Sequence, residues 1–138
     1  MYTSFFANLR NIPAELRPVG IARGVPKFYK GESDRRLAPT WAMLKMAKPD
    51  YDRHFAAILA KLDPREIYER LGESAVLLCW EKPNEWCHRR AVAEWLEQAL
   101  GVEIPELGLR RSDVVSYNAM SAAPPKQRKS RPKLFGLW

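Results

Sequence analysis

Cys87, His88 and Arg89 stand side by side, followed by Arg90, where an apolar run gives way to a helix pattern. At a helix start the first backbone N–H groups lack partners and the helix dipole favours negative charge. A phosphate, a carboxylate or a thiolate is stabilised there. Arg89 and Arg90 add planar guanidinium donors suited to oxyanions. The arrangement supports two kinds of chemistry. One is anion recognition; the other is thiolate chemistry, with Cys87 as nucleophile or redox thiol and His88 tuning or protonating. Cys79 ends the preceding strand pattern, and Glu81 follows it in the loop, as a general acid or base or as an ion-pair partner for Arg89 or Arg90. The plain alternative makes Cys87 a small buried hydrophobe, His88 a helix cap and the arginines solvated.

A second group follows the first two strand patterns: Arg10, Arg23, Lys27, Tyr29 and Lys30. These side chains suit phosphate or polynucleotide contact, with Tyr29 or Phe28 offering a stacking face; a solvated basic loop is the competing description. Gly24 and Gly31 match no phosphate-cradling motif. Zinc is not expected. Cys79, Cys87, His88 and His54 lack the paired short spacings of structural sites, and adjacent Cys87 and His88 rarely reach one ion together. His54 reads as a surface or packing residue, and no cofactor is named by any motif.

The elements that must position these groups follow from pattern and punctuation. Tyr2–Phe6, Pro18–Ala22 and Ser74–Trp80 read as strands, with a further short one over Val102–Pro105. Ser74–Trp80 is the clearest, a near-continuous apolar run of the kind buried on both faces of a parallel sheet. Helices are expected over Pro39–Ala47, Asp50–Leu62, from the Asp63-Pro64 start to Leu71, and over Trp86–Leu100 up to Gly101. Strands separated by helices point to a small three-layer Rossmann-like α/β domain, with a short, mostly parallel sheet and flanking helices. Ligands in such sheets bind at the carboxyl ends of the strands, where Cys79 and Cys87 fall.

Charge divides the 138 residues unevenly. Residues 110–138 hold seven Lys and Arg against one acid, Asp113, whereas residues 1–109 hold sixteen against fifteen. The basic character therefore belongs mostly to the end of the chain, so the expected organisation is a domain over 1–112 and a basic, Pro-containing, flexible tail over 113–138. Lys126, Arg128, Lys129, Arg131 and Lys133 would add salt-dependent affinity for DNA or RNA. Leu134, Phe135 and Trp138 would dock on a protein partner or fold back. No stretch approaches the ~20 apolar residues of a membrane span, and no signal pattern opens the chain. A cytoplasmic location is expected, with both cysteines as free thiols.

The run Ala75-Val76-Leu77-Leu78-Cys79-Trp80-Glu81-Lys82-Pro83, followed by Cys87-His88-Arg89-Arg90, resembles the hallmark of the DUF488 family. Ile21 to Lys27 and Leu37-Ala38-Pro39 extend the likeness, which covers roughly residues 1–107. The resemblance implies a compact Rossmann-like domain and marks Cys79, Glu81, Cys87, His88 and Arg89 as site residues. Relatives place an Asp-x-Arg after an early strand, whereas Ala22-Arg23 keeps the Arg without the acid. The expected function is a small enzyme acting on a nucleotide, nucleic acid or other phosphate-bearing substrate through the Cys-His-Arg site. The alternative is a non-catalytic nucleic-acid-binding or protein-docking module that uses the basic tail.

Overall fold

The computed structural model describes residues 1–121. Four parallel strands form one sheet in the order β1-β4-β2-β3: β1 Tyr2–Phe5, β2 Arg17–Gly20, β3 Glu32–Ser33 and β4 Ala75–Cys79. The apolar run becomes the central β4, and its five residues are all buried. Its neighbours pair in register, Phe5 with Cys79 and Gly20 with Leu78, so three strands end at one edge. The α/β class and the parallel sheet expected from the sequence are therefore present.

Side chains alternate across β4, as the two-residue strand period requires. Ala75 and Leu77 face a core built with α1 (Lys48–Ala60), α2 (Pro64–Leu71) and α3 (His88–Leu100). Val76 and Leu78 face a second core closed by Phe6, Ala22 and Tyr29. A 3-10 turn over Phe6–Asn11 and the segment around Tyr29 form this third layer.

Local chemistry sets the boundaries. Asp63 caps α2 by accepting from the amides of Arg65 and Glu66, with Pro64 in the first turn. Gly101, at φ 69°, ends α3 in the left-handed conformation that glycine adopts freely. The helix expected over Pro39–Ala47 is only a 3-10 turn, Ala42–Lys45. Trp41 is 64% exposed, and Met43 is the turn's buried residue. The strand expected at Val102–Pro105 forms no ladder of its own. The chain there runs beside β1, with the Thr3 amide donating to Pro105 O and the Leu107 amide to Thr3 O.

Residues 113–121, expected to belong to a flexible tail, pack against the domain. Tyr117 and Met120 are buried against the helical core. Tyr117 Oη donates to Asp52 (2.6 Å) and accepts from Trp86 Nε1 (2.9 Å). Asn84 donates to Asp113 O and accepts from the Val115 amide. Segment 113–121 thus straps the loop between β4 and α3 onto the domain. Lys126, Arg128, Lys129, Arg131, Lys133, Leu134, Phe135 and Trp138 lie outside the described residues. Among the described residues, no helix is long and apolar enough to cross a membrane.

Candidate functional site

β4 delivers Cys79 to the carboxyl edge of the sheet, and the loop over 80–87 returns the chain to the start of α3. Asn84 bends that loop at φ 68°, a left-handed conformation that asparagine tolerates better than most residues. Cys87 is the N-cap of α3, with extended backbone at φ −151° and ψ 137°, and His88 is the first helical residue. The two sulfurs are joined as a disulfide across a Cα–Cα distance of 7.2 Å. The expected free thiols are thus a bonded pair: parallel strand β4 and the helix that follows it bring both sulfurs to one end of the sheet.

The first turn of α3 is lined with buried polar groups. His88 is 6% exposed, Arg89 1% and Arg90 2%. Nε2 of His88 lies 2.6 Å from Ile21 O, just beyond β2, and its ring meets Phe55 edge-on. A carbonyl only accepts, so Nε2 carries a proton. Arg89 grips Glu106 through Nε (3.1 Å) and Nη2 (2.8 Å), and its Nη1 donates to Glu81 O (2.7 Å) and Cys79 Sγ (3.1 Å). Arg90 donates to Thr3 Oγ1 (2.9 Å) and Ile104 O (2.8 Å). Burial pulls the Arg90 pKa down, opposed by the charge of Glu106 and then of Glu97. Glu106 also accepts from Thr3 Oγ1.

The expected site residues therefore separate into two sets. Cys79, Glu81, Cys87, His88 and Arg89 converge. Oε1 of Glu81, a residue 9% exposed, is 4.0 Å from Cys79 Sγ. Arg89 and Arg90, expected to hold substrate, are instead internal supports, because an uncovered helix start is not what the fold provides: segment 104–107 lies over it. Tyr29 is likewise buried. Its hydroxyl accepts from the Gly20 amide and donates to the Glu32 carbonyl, and its ring packs on Phe6, so it pins β2 to β3 rather than offering a stacking face. Arg10 and Lys27 are exposed. Arg23 reaches sideways to Pro39 O (2.8 Å). Trp41 and Phe28 are the exposed large apolar side chains among the described residues, and Trp41 lies against Gly24.

Sequence reasoning missed Glu106, Thr3 and the Ile21 carbonyl. The signal for Glu106 was present: two arginines open a helix whose apolar side is buried, and an acid sits among Ile104, Pro105 and Leu107. Spacing also argued against any shared metal. Yet Cys79, Cys87 and His88 place one ligand atom each within 4.8 Å of one another. The backbone changes direction at the N-cap, and this lets neighbouring Cys87 and His88 reach the same point.

The fold and the site together define a small parallel α/β domain with a cysteine pair linking a strand end to a helix start. No family model matches this chain, and no curated protein or solved structure matches it either.

Proposed function

We propose that this chain is a small DUF488-like enzyme that carries out thiol–disulfide exchange through Cys79 and Cys87. The observation that carries the proposal is the Cys79–Cys87 bond lying between a guanidinium and a helix start. Arg89 favours a thiolate on Cys79, and the amides opening α3 favour one on Cys87. In the exchange, the thiolate of a small-molecule thiol attacks Cys87 Sγ. The protein S–S bond breaks, and its electron pair leaves on Cys79 beside Arg89. A second small thiolate attacks the substrate sulfur of the mixed disulfide and releases Cys87. The balance is one protein disulfide and two small thiols giving one protein dithiol and one small disulfide. Cys79 is the better leaving group because Arg89 Nη1 donates to its sulfur. Burial of both cysteines (1% and 3% exposed) favours a small reactant over a folded protein.

The test is thiol counting with equilibration against glutathione redox buffers, followed by turnover of a small disulfide. Wild-type protein should switch reversibly between zero and two reactive thiols, and Cys79→Ser and Cys87→Ser should each abolish turnover. A pair that never re-forms its bond in oxidised glutathione would contradict the proposal.

A second reading rests on a different observation. Trp41 and Phe28 are exposed beside Arg23 and Lys27, with Arg10 exposed after β1. Stacking faces among cations suit a single-stranded nucleic acid or a nucleotide. Binding of a short oligonucleotide should quench tryptophan fluorescence, weaken with salt, and drop on Trp41→Ala. Absence of binding at low salt removes this reading.

A further inference from the structure

We propose that Cys79 and Cys87, once reduced, join His88 to bind a single divalent ion of the zinc class. The inference rests on the pair being a reducible dithiol, as proposed above, and assigns what the reduced form takes up. Three observations carry it. First, the three ligand atoms lie within 4.8 Å of one another, and all three residues are buried. Second, the ring nitrogen facing Ile21 O carries a proton. A backbone carbonyl holding one nitrogen of a histidine is the usual outer support for a metal-binding imidazole. Third, the Cα–Cα distance of 7.2 Å leaves room for the reduced sulfurs to stand roughly 3.8 Å apart on a tetrahedral ion with ~2.3 Å metal–sulfur bonds.

Charge also fits. Two thiolates cancel a divalent ion, and Arg89 is already offset by Glu106 at 2.8 Å, so the filled site adds no net charge to the interior. Binding displaces the thiol protons, because thiolate and unprotonated imidazole are the ligand forms. The Glu81 carboxylate, 4.0 Å from Cys79 Sγ, or a water completes four-coordination. Oxidation to the disulfide removes both sulfur ligands, so the ion and the S–S bond exclude each other.

The test uses the full chain, reduced and desalted without oxygen, then titrated with cobalt(II) and afterwards with zinc(II). One cobalt per chain should give a sulfur-to-metal charge-transfer band, zinc should displace it, and the oxidised protein should bind neither. His88→Gln should weaken cobalt binding by roughly 100-fold or more. Loss of a ligand costs at least as much as loss of an outer support, which takes 10- to 100-fold. If that variant fails to fold, X-ray absorption on zinc-loaded wild-type protein still decides, with two sulfurs and at least one nitrogen expected. Two countable thiols without ion uptake would overturn the metal site and leave the exchange reaction standing. A pair that binds the ion but never re-forms its bond would overturn the exchange reaction alone. Sulfurs that stay joined in strong reductant would overturn the metal site.

Discussion

Arg89 is the residue on which the site turns. Its charge is buried and its donors reach three partners: the Glu106 carboxylate, the Glu81 carbonyl and Cys79 Sγ. Removing one member of a buried ion pair leaves the other uncompensated, at a cost of about 3–5 kcal/mol. Arg89→Ala should therefore destabilise the domain by that amount in chemical denaturation. The double variant Arg89→Met with Glu106→Leu should recover most of the loss, because it strands no charge. Equal destabilisation in the single and double variants would show that the guanidinium matters as bulk rather than as charge. The Cys-His-Arg string singled Arg89 out, but not its direction. A charge in the first turn of a helix reads as solvated unless its cover is known, and here the cover is Glu106, which arrives from beyond α3.

At the scale of elements, the question is what holds segment 101–107 over α3. Glu97 on α3 accepts from the Ile104 amide (2.7 Å) and pairs with Arg111. Burial alone would push its carboxyl up, but the Arg111 hydrogen bonds and the Ile104 amide outweigh that and hold it below its ordinary 4.5. A carboxyl depressed in the fold contributes stability above its unfolded value and loses it as pH falls through its folded value. Acid should thus weaken the domain progressively below about pH 4.5. Glu97→Gln should cost about 1–2 kcal/mol at neutral pH and flatten that part of the pH profile; an unchanged profile would assign the acid sensitivity elsewhere. On the strap, Tyr117→Phe removes the hydroxyl that accepts from Trp86 Nε1 and donates to Asp52, and should cost about 1–3 kcal/mol. Legibility varied among elements for the same physical reason. β4 and α2 declare themselves because a doubly buried strand must be apolar throughout and a capped helix start needs Asp and Pro. The exposed two-residue β3 and the 3-10 turns carry no periodic pattern, and the strap's anchors Asn84 and Tyr117 are long-range partners invisible to local reading.

For the whole molecule, the state of the cysteine pair should set the stability, because the bond closes the loop that joins the central strand to the site helix. Closing so short a loop limits the unfolded chain by about 2–3 kcal/mol in the chain-entropy account. For a domain of this size that corresponds to a fall in Tm on the order of 10 °C when the pair is reduced. A zinc-class ion bound by the reduced site acts in the opposite direction, since a ligand of the native state adds stability as its concentration passes Kd. Melting should therefore fall with reductant alone and rise again with reductant plus zinc, while oxidised protein ignores zinc. The double variant Cys79→Ser with Cys87→Ser should melt at one temperature in all three conditions. Coincident melts of wild-type protein with and without reductant, at verified thiol counts of two and zero, would mean that the packing of α3 on β4 already fixes this loop. The bond would then be a chemical feature of the site and not part of what keeps the chain folded.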